Sequence, residues 1–433
     1  MRNRFQVKVW KSSKLPPDWF KRQAPDEKTT EQAESNVKAI VSTIEKNGDA
    51  ALIAFTEQFD EAHLEAKDLQ VTPREIKEAY NKVGKEQVAA LKFMKNKVSV
   101  FEKLTLKQAG FKTSQDGVTV QNVLRPIESV GCYVPGGQAA YPSTLVMTAV
   151  PAKVAGVPRI VVCSPPNAEG NVNPLVLVAA DICGVDEVYK VGGAQAIAAL
   201  AYGTKTIKSV HKIVGPGSKY VTMAKVIVST DVAIDMPAGP SEVLVLADDS
   251  ADAQLIAYDM ISQAEHGEDS VAGLVTTSKK TALQVQKNLT KLAASIPRRE
   301  KVLESLEKYG FIIVCNSMDE AVDLVNRFAP EHLEVVAANA KALAKKLTAG
   351  LILIGPYSPV ALSDYGSGTN HVLPTGGFAK AFSGLSALDF ACQVSIIESS
   401  KIGLEKVKSA IKVMTEAENL PNHYKAIEAR FNK

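Results

Sequence analysis

Between residues 130 and 354 the chain repeats one local grammar: a short branched-apolar run, a glycine or proline turn, then a helix-forming stretch. Residues 130–134 read as a strand, Pro135-Gly-Gly137 as a turn and residues 143–155 as a helix. The strand 159–163 follows, ending at Ser164-Pro-Pro166, then a helix, the strand 187–191, the turn Gly192-Gly193 and the helix 194–202. A second series runs through strands 241–247, 271–276, 310–315, 333–336 and 350–354. Its helices include 281–294 and one opened by the capping box Ser317-Met-Asp-Glu320. Strands alternating with helices cannot pair as hairpins, so the pattern predicts the α/β class, with parallel sheets covered by helices. Two consecutive series predict two related, incomplete Rossmann-like α/β domains. Helix N-termini behind glycine turns can hold phosphate. There is no G-x-G-x-x-G, so dinucleotide binding is permitted by this grammar and not demanded by it.

Outside the alternation, residues up to about 110 read as helical. Thr72-Pro-Arg-Glu75 is a capping box with proline at the first helical position. Charged helices at 31–44 and 75–104 read as an outer layer. The expected division is an N-terminal helical segment, 1–128, packing on the second α/β unit, and a first Rossmann-like domain, 129–238. A second such domain, 239–381, is followed by a small helical tail, 382–433, that carries Glu418 and His423. At 433 residues the chain is too long for one core. A net charge of +3, with lysines and glutamates interspersed, argues against a nucleic-acid partner. The longest apolar run, 143–163, is broken by Lys153, Pro158 and Arg159 and cannot span a membrane. Five scattered cysteines without a CxxC, and a start lacking a signal-peptide core, point to reduced thiols in a cytoplasmic protein.

Asp259-Met-Ile-Ser-Gln-Ala-Glu-His-Gly267 reads as a helix end. It places Asp259, Gln263 and His266 on one side, above an apolar stripe of Ile256, Ala257, Met260, Ile261 and Ala264, with Gly267 as the stop. An amide oxygen and an imidazole there can be half of a metal site, or His266 can simply face the helix dipole. His332 in Pro330-Glu-His-Leu333, His371 in a glycine-bearing loop and His423 in the tail are further candidates. Mixed His, carboxylate and amide donors without thiolate suit zinc. His63 lies in a solvated charge run, and His211 reads as structural.

The motifs Ser262-Gln-Ala-Glu-His-Gly267, Gly239-Pro-Ser-Glu242, Pro330-Glu-His-Leu333 and Ser367-Gly-Thr-Asn-His-Val-Leu-Pro374 resemble those of histidinol dehydrogenases. So do Tyr133-Val-Pro-Gly-Gly137, Gly192-Gly-Ala-Gln-Ala196 and Asp235-Met-Pro-Ala-Gly-Pro240, in family order over nearly the whole chain. The resemblance implies zinc held by Gln263, His266, Asp364 and His423, with His423 supplied by the other subunit of a domain-swapped homodimer. Glu331 and His332 match the catalytic pair. Ser241, His371 and Glu418 match substrate contacts, beside Gln263, His266, Glu331, Asp364 and His423. Tyr133, Gln195 and Ser218 match positions that contact NAD. The implied reaction is the four-electron oxidation of L-histidinol to L-histidine through L-histidinal with two NAD, the last steps of histidine biosynthesis. Asp259, one turn before Gln263, is expected to steady a ligand from behind.

Two places depart from the family pattern. Ser218 stands where asparagine is more usual, and Ala391-Cys-Gln-Val394 stands where a basic pair is expected. The alternative function is a paralogue oxidising another small alcohol, such as a sulfonated diol. The Glu418 and His423 pair favours an imidazole substrate over it, and the intact Glu331-His332 pair argues against a catalytically silent zinc-binding relative.

Overall fold

The branched-apolar runs form two all-parallel sheets. The computed structural model, which describes residues 5–16, 19, 27–136, 140–236 and 239–431, is a mixed α/β protein. Gly137 of the first glycine turn, and Pro237 and Ala238 of the 235–240 motif, fall outside the described residues, as do Met1 to Arg4. One sheet has five strands in the spatial order Glu187–Lys190, Arg159–Ser164, Ser129–Tyr133, Lys212–Val214, Ala233–Ile234. The other has six: Lys8–Lys11, Phe311–Val314, Val271–Thr276, Glu242–Ala247, His332–Val336, Leu351–Ile354. Glu242–Ala247 is buried along its whole length, as a central strand covered by helices on both faces must be. In each sheet the chain lays down a central strand, builds outward on one side and then returns to the other. The order therefore reverses beside Ser129–Tyr133 in the first sheet and beside Glu242–Ala247 in the second.

The N-terminal helices depart from expectation. Residues 75–104 form two helices, Pro73–Tyr80 and Lys85–Ala109, because Gly84 interrupts them and gives its N–H to the Gln87 side chain. These helices, and Glu27–Asn47, pack on the first α/β unit; the strand Lys8–Lys11 and Trp19 join the second. Their apolar stripes decide this. Val37, Val41 and Ile44 bury against Ile197 and Leu200 of the small-residue helix Gly193–Tyr202, while Leu91, Met94 and Val98 bury against Leu145 and Val146. The Thr72 capping box forms as read, with both reciprocal bonds. At Ser317 only half of one forms, since Glu320 turns its carboxylate to the Asn316 N–H.

The tail is not purely helical. Ala391–Ser399 pairs antiparallel with Val118–Pro126, which pairs with Phe111–Gln115 to make a third, three-stranded sheet. The hairpin turns at Asp116 and Gly117, both with positive φ, the mirror-image turn that suits strand twist. Helices Lys401–Ala417 and Pro421–Glu428 close the chain. Among the described residues, no helix is long and apolar enough to cross a membrane.

Candidate active site

Glu331 and His332 stand where the strand His332–Val336 begins, 6% and 4% exposed. They lie at the amino-terminal edge of the second sheet, opposite the edge where open α/β sheets usually bind ligands. Glu331 and Glu242 are tied reciprocally across two adjacent strands. The Glu242 N–H donates to Glu331 Oε2 at 2.7 Å, and the Glu331 N–H donates to the Glu242 carboxylate at 3.3 Å. The other Glu242 oxygen accepts the Gly376 N–H at 3.1 Å. His332 Nδ1 lies 3.3 Å from the Glu242 carbonyl oxygen and 3.6 Å from Glu331 Oε2. A carbonyl can only accept, so in the neutral ring Nδ1 carries the proton and Nε2 keeps its lone pair. That Nε2 is buried without a hydrogen-bond partner and faces Asp364 Oδ1 at 3.8 Å. Burial works against the imidazolium, but the Glu331 carboxylate and Asp364 outweigh it and raise the His332 pKa. His371 goes the other way: burial lowers its pKa and keeps it neutral.

Asp364, on the short helix Val360–Tyr365, places Oδ1 3.8 Å from His371 Nδ1 as well, and that oxygen has no hydrogen-bond partner. The loop bearing His371 is pinned to the first α/β unit, where Asn370 donates to the Met147 carbonyl at 2.7 Å. Gly368, with φ +94°, lets the same loop lie against the Lys97 carbonyl, where a Cβ would come within 2.6 Å. Gln263 is 2% exposed in the last turn of Ala253–Ala264, and its Nε2 is also unpartnered. The helix stops before Gly267 rather than at it. His266 therefore sits in a turn whose N–H returns to the Gln263 carbonyl, exposed but within electrostatic reach of His371. Glu331, His332, Asp364 and His371 thus form one cluster, with His266 in electrostatic reach of it.

Ser241 is half-buried next to Glu242. Glu418 and His423 lie exposed on the tail, with no hydrogen bond or ion pair to the pocket among the described residues. Nor do three His, Cys, Asp or Glu side chains of this one chain converge there at metal-ligand spacing. His63 is exposed beside Glu57, and His211 bonds Ser129 Oγ through Nδ1, a structural contact as read.

The residues matched to cofactor contact lie at the carboxy-terminal edge of the first sheet. The buried Tyr133 hydroxyl accepts the Gly193 N–H at 3.1 Å, and Gln195 is buried in the helix that follows, with Nε2 unpartnered. Ser218 is exposed at the head of Lys219–Val228, and its hydroxyl caps nothing. The loop before it is held by a buried ion pair. Lys225 and Asp235 bind each other, Lys225 Nζ donates to the Gly215 carbonyl at 3.0 Å, and Asp235 accepts the Gly215 N–H at 2.8 Å. Gly215, at φ +116°, lies so close to Tyr133 that a Cβ would strike its carbonyl. Lys225→Met leaves the buried Asp235 without its counter-ion. We expect a loss of about 3–5 kcal/mol in denaturant unfolding.

Two buried acids escape sequence reasoning: Glu242, which binds Glu331, and Glu334, whose Oε1 accepts the Val360 N–H; they are 3% and 2% exposed. The signal was an acid inside an otherwise apolar strand, which burial permits only with partners.

The histidinol dehydrogenase family model matches residues 23–431. The chain belongs to the histidinol dehydrogenase family. A curated histidinol dehydrogenase of Methanosarcina mazei is 44% identical over 397 residues, 91% of either chain. One of Clostridium acetobutylicum is 42% identical over 428 residues, 98% of this chain and 99% of its own. The crystal structure of histidinol dehydrogenase from Elizabethkingia anophelis superposes with a TM-score of 0.91 at 35% identity, covering 100% of this chain and 99% of that one. This member of the family is accordingly an oxidoreductase of histidine biosynthesis acting on a small molecule.

Proposed function

We propose that the enzyme oxidises L-histidinol to L-histidine through L-histidinal, transferring two hydrides to two NAD at a zinc-dependent site shared between the subunits of a cytoplasmic homodimer. The observation that carries this reading is the buried, unpartnered His332 Nε2, clustered with Glu331, Asp364 and His371. Oxidising an alcohol requires a base for the hydroxyl proton while hydride leaves the carbinol carbon, and Nε2 is oriented as that base. The aldehyde must then gain water before a second hydride can leave. Glu331, 3.6 Å from the imidazole, is the carboxylate to activate that water, and the carboxylate product follows.

The donor set fits zinc. Gln263, His266 and Asp364 offer only nitrogen and oxygen, and Asp364 Oδ1 is buried without a partner. No lysine or arginine is ion-paired with Glu331 or Asp364 among the described residues. Held by these residues, zinc would supply a Lewis acid to anchor the substrate's nitrogens. One chain offers three such ligands, and we assign the fourth, His423, with Glu418 as a substrate contact, to the partner's tail. Ser241 and His371 complete the substrate contacts, and Tyr133, Gln195 and Ser218 those to NAD. Exposed apolar residues support a second copy on this face: Ile397 is 69% exposed, Ile402 71% and Val413 63%, on the sheet and helix of the tail. Four of the five free cysteines are buried, as reduced thiols in a cytoplasmic protein can be.

Purified enzyme with L-histidinol, NAD and zinc is expected to yield two NADH per histidinol, with turnover abolished by a chelator and restored by zinc. Oxidation of another alcohol but not of histidinol would overturn the substrate assignment.

A further inference from the structure

We propose that Asp259 and Glu334 form a proton-sharing carboxyl clamp that joins the helix bearing Gln263 to the helix bearing Asp364, and so sets the spacing of the metal ligands. The inference rests on the zinc reading above. Glu334 lies two residues beyond His332 on the same strand, and therefore on the same face. Its register neighbours are Val245 and Leu353, which belong to an apolar cluster with Ile256, Met260 and Val360. A lone carboxylate there would be costly, and Glu334 has two polar contacts to relieve it. Its Oε1 accepts the Val360 N–H at 2.9 Å, and its carboxyl is hydrogen-bonded to that of Asp259.

Two adjoining acids in an apolar cluster cannot both ionise, so they hold one proton between them. Burial raises both pKa values; burial and the neighbouring Asp259 carry Glu334 up to about 9. At neutral pH one carboxyl of the pair donates this proton to the other. Among the described residues, Asp259 and Glu334 shift each other, and no third ionisable group, His332 on the same strand included, shifts either. Asp364, on the same helix as Val360, is turned to His332 and His371 instead, and the strands on either side present Val245 and Leu353.

The geometry points to a positioning role. Asp259 precedes Gln263 by one helical turn, and Val360 precedes Asp364 by one turn. Val360 is the first residue of Val360–Tyr365, whose N-cap, Pro359, offers no side-chain acceptor, so Glu334 fixes that end of the helix. One carboxyl pair thereby ties both helices at matching distances from their ligands. Asp259 acts through Glu334 and the helix frame, not by touching a ligand.

The test is zinc binding to the metal-stripped full-length protein in competition with a chelator, which does not depend on turnover. Glu334→Ala is expected to weaken zinc by about 10-fold or more, the scale of a lost supporting contact. Glu334→Gln keeps an N–H for Asp259 and an oxygen for the Val360 N–H, and should hold zinc within about two-fold of wild type at pH 7. The linkage has a definite sign. The unfolded chain loses this proton near the ordinary value of 4.5, whereas the folded pair keeps it to about 9. The pair's contribution to stability is therefore full at low pH and falls as pH rises through that window, until the proton leaves the folded protein. From pH 7 to about pH 9.5 the zinc affinity of wild type should fall about five-fold relative to Glu334→Gln, which has no such proton. If Glu334→Ala does not fold, Asp259→Ala breaks the same bond from its more exposed side. Alanine variants that bind zinc within about two-fold of wild type, or an affinity ratio that does not move with pH, overturn the clamp. If Asp364→Ala binds zinc as tightly as wild type, the metal reading itself fails, a result distinct from either.

Discussion

His332→Asn should lower kcat for histidinol by about 10²–10⁴, the usual contribution of a positioned general base, while zinc content stays at the wild-type level. The substitution is informative because of how His332 is held. Nδ1 faces the Glu242 carbonyl at 3.3 Å, and an asparagine N–H can occupy nearly the same place. What disappears is the Nε2 lone pair, the atom aimed at Asp364. KM should change only a few-fold, since the ring is not among the zinc ligands and Glu331 keeps its bond to the Glu242 N–H. The checks are steady-state kinetics and metal analysis on the same preparation. A variant retaining kcat within about three-fold would mean that the base lies elsewhere, because removing a true one costs far more.

The two parallel sheets were legible in the sequence because their strands are short apolar runs between turn residues. Val271–Thr276 falls where that pattern puts it, and neighbouring strands shift by a residue or two. The third sheet was hidden for physical reasons. Phe111–Gln115 is exposed at every position and Ala391–Ser399 at most, so neither shows the alternation that burial of one face imposes. Asp116-Gly117 was the available signal, a hairpin dipeptide standing between two strand-forming runs.

The site was legible as chemistry and not as geometry. Its residues come from four separate stretches, and spacing along the chain says nothing about convergence at the amino-terminal edge of a sheet. Motif resemblance singled out Glu331, His332 and Asp364. It did not reveal that Glu242 binds Glu331 through both its N–H and its carboxylate, or that Asp259 is paired with Glu334. Those contacts join distant strands and helices, so only the folded register creates them.

His423→Ala should abolish most zinc binding and turnover in the homodimer, because a four-ligand site loses one of its two imidazoles. The mixed dimer is the sharper experiment. His423 is exposed on the tail, and in the shared-site reading each site would combine one subunit's His266, Asp364 and His332 with the partner's tail. Pair a His423→Ala subunit with a His332→Asn subunit. One site then carries both lesions, while the other draws an intact pocket from the first and an intact tail from the second. Random assortment of equal amounts makes half of the dimers mixed, each with one good site, so about a quarter of wild-type activity should return. If each subunit used its own His423, every site would carry a lesion and mixing would restore nothing. Recovered activity that scales with the fraction of mixed dimers, measured after separating them by differently tagged tails, therefore decides whether the active site is built across the subunit boundary.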